Sequence, residues 1–420
     1  MLHIPVLRRG KTYESLDRVP VNNHRTGEAL AEISQVNAGI IRRDLAKIGE
    51  SAEALRRIPS QELLEICRNA GEIFMKDSLP AGTVDAMQSP QDYVDCLSAT
   101  SGLPHTLCRR NMGKIHEVFT EMPTILRGLT RGLDTGILDK GLGEQNGVPV
   151  SYFPTTQSLG VVLPSNSPGV NSIWMPAVAL KIPVVLKPGR EEPWTPWRII
   201  QAFIAAGCPP EAFSYYPTDH EGAGVILNSC GKALIFGDQS TTAQYTGNPN
   251  VQVHGPGWSK VLIGEDKIDR WPEFLEVLVS SITDNGGRSC INASAVVVPR
   301  HAREIAEALA GRLALVDPQP PSSDQAVLSA FANPKMAEYI DGTIEEGLQT
   351  PGAEDATQRI RSGSRLVEQD GAVYIRPTVV LCESFDHPLA NKEFLCPYAS
   401  VVEVPQAEML SKIGPSLVVT

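Results

Sequence analysis

From residue 159 to residue 236 the sequence alternates short apolar runs with helical stretches, and this alternation limits the possible folds more than any other feature. Residues 160–163, 184–187, 213–216 and 233–236 read as strands. Residues 171–180, 195–206 and 221–227 carry helical spacing, and the second of these stops at Gly207, Pro209 and Pro210. Strands joined by crossover helices must pair in parallel, which predicts a doubly wound α/β sheet covered on both faces. In such sheets ligands bind beyond the carboxyl ends of the strands. A second α/β region follows, with strand-like runs at 260–263, 293–298 and 399–404 and helical runs at 271–284, 302–313 and 335–347. The Pro/Ser-rich segment 317–324 reads as an exposed loop.

The segments ahead of this alternation read differently. Residues 27–78 are expected to be helical and amphipathic, with Ile40, Ile41, Leu45 and Ile48, then Leu63, Leu64, Cys67 and Ile73, at helical intervals. Residues 105–133 form a further helical stretch, interrupted at Gly113, Pro123 and Gly128, whose Arg109, Arg110, Lys114, Arg127 and Arg131 make a solvated face. Residues 134–157 are rich in glycine and turn residues and suit a hairpin or bridging linker.

A chain of 420 residues is too long for one ordinary core, so two or three domains are expected. The net charge of −11 argues against a general nucleic-acid or anionic-membrane binder, since both need a basic surface. The longest apolar candidate, 177–186, contains Lys181 and Pro183 and falls short of a membrane span, and residues 1–11 lack the apolar core of a signal peptide. The eight cysteines are scattered, with no Cys-x-x-Cys and no clustered histidines. That disfavours a zinc site or a disulfide framework and points to a reducing cytoplasm.

One cysteine stands apart. Cys290 ends the run Asn285-Gly286-Gly287-Arg288-Ser289-Cys290, between a helical stretch and the apolar run Ala295-Val296-Val297-Val298. A helix-to-strand connection can hold a side chain towards a ligand, and the glycines let the backbone approach one closely. A thiolate there can attack a carbonyl carbon, with the Cys290 backbone N–H donating to the oxyanion. The alternative is a buried apolar thiol with no chemistry.

Five segments occur in order: Pro164-Ser165-Asn166-Ser167-Pro168, Lys187-Pro188-Gly189-Arg190, Phe236-Gly237-Asp238-Gln239-Ser240-Thr241, the Cys290 segment, and Lys392-Glu393-Phe394-Leu395-Cys396-Pro397. Together they resemble the aldehyde dehydrogenase superfamily over nearly the whole chain. The resemblance implies a helical N-terminal region and dinucleotide-binding domain over residues 1–254, then a catalytic domain over 255–420. It implies Cys290 as nucleophile and Asn166 as a neutral side-chain donor to the oxyanion; the alternative for Asn166 is a turn residue capping the next helix. Lys187 would contact the adenosine ribose of NAD or NADP. Arg190 stands where the family often has a ribose-binding glutamate, which suits a 2′-phosphate unless Arg190 pairs with Glu191 or Glu192. Ser240 and Thr241 fall at a family turn under the cofactor phosphates, with Asp238 an unfavourable neighbour expected to point away. Glu393 matches a glutamate that binds the nicotinamide ribose, while Leu395 and Cys396 depart from the usual phenylalanine and glycine. Gly222-Ala223-Gly224 lies in a helical stretch and lacks a full dinucleotide fingerprint.

The largest departure concerns the base. Hydrolytic members carry Glu-Leu-Gly-Gly-Lys before the cysteine; the corresponding segment here is Val253-His254-Gly255-Pro256-Gly257-Trp258-Ser259-Lys260, with no glutamate. Thioester hydrolysis needs a base, so CoA becomes the favoured acyl acceptor, with His254 a substitute base for a hydrolytic alternative. A third reading is a non-catalytic nucleotide-binding homologue. The expected partners are an aldehyde or acyl thioester, with no metal and with a homo-oligomer left open. The final residues Ser416-Leu417-Val418-Val419-Thr420 resemble an interior strand of the family's catalytic domain, so the family's usual C-terminal elements are not expected here.

Overall fold

A computed structural model describes residues 1–82 and 86–420. The described residues fall into two compact units: residues 1–23, 27–100 and 108–255, and residues 24–26, 101–107 and 256–420. Both are built around mainly parallel sheets, as the strand–helix alternation predicts.

In the first unit a seven-stranded sheet runs in the spatial order Val251–His254, Lys232–Phe236, Leu159–Val162, Val184–Lys187, Phe213–Tyr215, Val6–Arg8 and Lys11–Tyr13. The first five strands are parallel; Val6–Arg8 pairs antiparallel with Phe213–Tyr215, and Lys11–Tyr13 pairs antiparallel with Val6–Arg8. The chain starts at Leu159–Val162, builds outward to Phe213–Tyr215, then returns to the other side of its starting strand. The order therefore reverses between Leu159–Val162 and Lys232–Phe236, and such reversals leave a crevice at the carboxyl ends. On one face Val185 packs with Ile41, Leu45, Val225 and Ile226, brought there by the helices Ala38–Leu45 and His220–Ser229.

The second unit holds a five-stranded sheet ordered Lys260–Leu262, Ala295–Val298, Tyr398–Glu403, Thr378–Cys382 and Ala353–Asp355, parallel except for the last strand. Its β-branched strands are buried on both sides, which is why they read as continuous apolar runs. Val296, Val298, Val379 and Val401 face the helix Ala302–Leu313, through Ile305 and Leu309. Ala295, Val297, Val380 and Val402 face the other way, onto Ile340 and Ile344 of the helix Pro334–Leu348.

Several sequence expectations change. Residues 27–36 are not helical: Ala29–Ser34 is a strand, and the first helix starts only at Ala38, where Asn37 caps it through the Ile40 N–H. The helical spacing of Ile40, Ile41 and Leu45 does not reach back across the Asn37 cap. Gly113 does not interrupt His105–Thr120, nor Gly128 the helix Met122–Leu129, in whose first turn Pro123 needs no N–H donor. Thr378–Cys382 went unread although Val379-Val380-Leu381 is an apolar run of strand length. Val251–His254, read only as a motif, is the edge strand of the first sheet. The 134–157 segment does form a hairpin, Leu142–Gln145 with Val148–Ser151. Among the described residues no helix is long and apolar enough to cross a membrane.

Leu309 is fully buried and Leu315 is 72% exposed. Leu309→Ala is expected to destabilise the second unit by about 2–5 kcal/mol, whereas Leu315→Ala changes stability by roughly 0.5 kcal/mol or less. Denaturant midpoints of the two variants check this; equal shifts would contradict the packing described.

Candidate active site

Six of the eight cysteines are buried, and burial pushes the Cys67, Cys382 and Cys396 thiols up to about 12. Cys290, like Cys96, is half-exposed, so the inert apolar reading describes the six buried cysteines better than it describes this one. Its loop leaves the helix Leu275–Thr283 through left-handed Asn285, Gly286 and Gly287. Gly287, at φ +69°, is held there by more than its backbone conformation: a Cβ would sit 2.3 Å from the Pro397 nitrogen. The Asn285 amide donates to Ser289 Oγ, and the Ser289 N–H donates to Asn292 Oδ1, closing the turn around the cysteine.

The segment just before the strand Lys260–Leu262 packs directly on this loop. A Cβ on Gly257 would lie 2.1 Å from the Cys290 carbonyl oxygen and 3.2 Å from the Cys290 Cβ, so no other residue fits without displacing the cysteine. Ser259 Oγ donates to that same carbonyl at 2.8 Å. Trp258, between them, has φ +42°, which is costly for a bulky side chain. Two charged groups hold its peptide units: Glu393 Oε2 accepts from the Trp258 N–H at 2.5 Å, and Lys260 Nζ donates to the Trp258 carbonyl and to Ser416 Oγ.

The charges around Cys290 oppose its ionisation. Burial raises its thiol above the ordinary value, the negative charge of Glu393 raises it further, and its own backbone N–H works the other way. Glu393 is itself raised by burial, against the Trp258 and Gly257 amides and the charge of Lys260. Burial lowers Lys260 to about 8, opposed by Glu393. The sequence places Glu393 at a ribose-binding position; in the second unit its carboxylate accepts from the amides of Trp258 and Gly257, the glycine that backs the cysteine.

The first unit gathers Asn166, Lys187, Arg190, Ser240, Thr241 and His254 at or just beyond the carboxyl ends of its parallel strands. Asn166 lies in the bend after Leu159–Val162; the residue in the cap position of the next turn, Pro168–Ile173, is Ser167. Lys187 ends its strand half-buried, and burial lowers its ammonium, with Glu191 opposing and Arg190 reinforcing the shift. Arg190 is exposed and makes no ion pair among the described residues, and Glu192 is fully buried on Thr195. The alternative pairing of Arg190 is therefore not adopted.

Asp238 is a correction: it does not point away but caps the short helix Gln239–Thr242, accepting from the Thr241 N–H at 2.8 Å and from Ser240 Oγ at 2.7 Å. A phosphate at Ser240 and Thr241 would share these donors with that carboxylate. Lys187 and Arg190 put two cations at and just beyond the carboxyl end of Val184–Lys187, the strand next to the one where the order reverses. His254 stacks on Phe236 at 4.5 Å and 14°, and its Nε2 is buried without a partner among the described residues. Burial lowers its imidazole. The sequence reading missed Ser259 as the clamp on Cys290 and Trp258 as the strained residue; the glycine-rich run before Lys260 was the available signal.

Alkylation of Cys290 by iodoacetamide, followed by peptide mass spectrometry across pH, tests these electrostatics. Its half-reaction pH should lie above that of a free cysteine. Removing the opposing carboxylate with Glu393→Gln should move it down; an unchanged or higher value would contradict the arrangement.

The aldehyde dehydrogenase family model matches residues 12–413. The 5-carboxymethyl-2-hydroxymuconate semialdehyde dehydrogenase of Escherichia coli is 24% identical over 413 residues, covering 94% of this chain and 81% of that one. Among solved structures, an NAD-dependent aldehyde dehydrogenase from Sinorhizobium meliloti superposes with a TM-score of 0.80 at 18% identity, covering 99% of this chain and 80% of that one. An E. coli NADP-dependent enzyme superposes with 0.78 at 16% identity, over 99% and 84%. With a family model spanning nearly all of it, the chain belongs to the aldehyde dehydrogenase family, oxidoreductases that act on aldehydes with NAD or NADP.

Proposed function

We propose that this chain oxidises an aldehyde to a carboxylic acid through a thioester on Cys290, with water as the acyl acceptor and NADP accepted as coenzyme. The observation that carries the reading is the half-exposed Cys290, pinned against Gly257, whose neighbour Trp258 holds the Glu393 carboxylate from another segment. Cys290, as thiolate, attacks the aldehyde carbon. Its backbone N–H serves as a donor to the oxyanion, typically worth about 3 kcal/mol. The bound nicotinamide supplies a hydride acceptor. Loss of hydride from the Cys290 adduct leaves a thioester, and water then releases the acid and restores the thiol.

CoA was favoured from the sequence because no glutamate precedes Lys260. That reason weakens once Glu393 brings a carboxylate to the same glycine by a different route. The E. coli relative is named as a semialdehyde dehydrogenase, which also favours simple oxidation. Lys187 and Arg190 support the coenzyme reading: a cation at a strand end and a second one three residues on suit the adenosine ribose and a 2′-phosphate.

A steady-state assay with an aldehyde, NAD or NADP, and with or without CoA tests this. Acid formation without CoA is expected, and Arg190→Glu should cut kcat/KM for NADP by roughly 10-fold or more while sparing NAD. Turnover that requires CoA and yields acyl-CoA would overturn the hydrolytic reading. Equal losses with both coenzymes would overturn the role of Arg190.

A further inference from the structure

We propose that Glu393 is the base that deprotonates the water attacking the Cys290 thioester, taking the place of the glutamate missing from the 253–260 segment. This rests on the hydrolytic reading above. The geometry comes from one glycine. Gly257 abuts the Cys290 Cβ and carbonyl, while its own amide and that of Trp258 hold the Glu393 carboxylate. The thiol and the carboxylate thus flank the same residue, on two connections of one sheet: the Cys290 loop enters Ala295–Val298, and the Glu393 segment enters the neighbouring strand Tyr398–Glu403. Both side chains are half-exposed, so water reaches each.

The other groups facing this spot fit the role less well. Lys260 Nζ spends its protons on the Trp258 carbonyl and Ser416 Oγ, so it is a donor there and not an acceptor. Glu393 stands beside the cysteine through Gly257 and Trp258, and its negative charge raises the Cys290 thiol. Its carboxyl is raised by burial, which brings a general base closer to the working pH. The backbone amides of Gly257 and Trp258 fix its orientation, so the base is pre-set.

The step balances simply. A water proton passes to the Glu393 carboxylate as the water oxygen bonds to the acyl carbon. The tetrahedral adduct collapses, the carbon–sulfur bond breaks, and Cys290 leaves as thiolate. The acid product departs, and Glu393 returns its proton to solvent. No further oxidant or reductant is consumed.

Stopped-flow measurement of reduced coenzyme, using the full chain with a saturating aldehyde, separates this role from ribose binding. Wild type must first release acid without CoA; if it does not, the hydrolytic reading fails before Glu393 is addressed. With that satisfied, Glu393→Gln should keep a burst of about one reduced coenzyme per active site while its steady-state rate falls roughly 10²–10⁴-fold. Hydroxylamine, which attacks a thioester without a base, should restore turnover and yield a hydroxamate. Glu393→Asp keeps a carboxylate on a shorter arm and should deacylate faster than Glu393→Gln, which guards against misfolding of the amide variant. Loss of the burst along with the steady state, or a raised coenzyme KM with an unchanged kcat, would return Glu393 to coenzyme binding and overturn the proposal. Undiminished turnover in Glu393→Gln would overturn it as well, and a selective loss of deacylation in His254→Asn would transfer the role to His254.

Discussion

The candidate chemistry depends on a contact that only a hydrogen atom can make: the Cα of Gly257 against the Cys290 carbonyl and Cβ. It joins the segment before one strand to the loop before its neighbour, so the parallel pairing of Lys260–Leu262 with Ala295–Val298 sets the position of the thiol. Ser259 reinforces it with a hydrogen bond to the same carbonyl. A nucleophile in a glycine-rich loop would otherwise be mobile. Here its backbone is held on one side by the helix exit at Asn285–Gly287 and on the other by Gly257.

That approach carries a local cost, because Trp258 must take a left-handed conformation worth about 1–3 kcal/mol of strain. Glu393 and Lys260 hold the two peptide units around it, one from the amide and one from the carbonyl. Both are partly or fully buried, and burial raises the first and lowers the second to about 8. Charges kept in such a place need a return, and the return proposed here is catalytic: a fixed conformation at Cys290 and a carboxylate of raised proton affinity beside it.

Much of the architecture was legible in the sequence because it rests on one-dimensional patterns. Apolar β-branched runs separated by helical spacing force parallel strands, and the strands at Val184–Lys187 and Ala295–Val298 fell where the runs were. Patterns failed where a local device decides the outcome. The Asn37 cap marks where helix begins, and spacing alone ran past it into the strand Ala29–Ser34. For the site, Cys290 could be found from its own neighbours. The surroundings of Glu393 could not, since its partners Gly257 and Trp258 lie about 135 positions away and meet it only through the sheet order. The direction of Asp238 was likewise hidden, since the motif match does not show that its carboxylate turns back onto Ser240 and Thr241 to cap a helix.

The central claim is that acyl groups reside on Cys290 during turnover. Acid quenching of a reaction in steady state, followed by digestion and mass spectrometry, reads this directly. The account predicts the peptide containing Cys290 to carry the mass of the acyl group derived from the aldehyde, with the other cysteine peptides unmodified. Turnover with an unmodified Cys290 peptide under conditions that preserve thioesters, or acylation at a different residue, would contradict it.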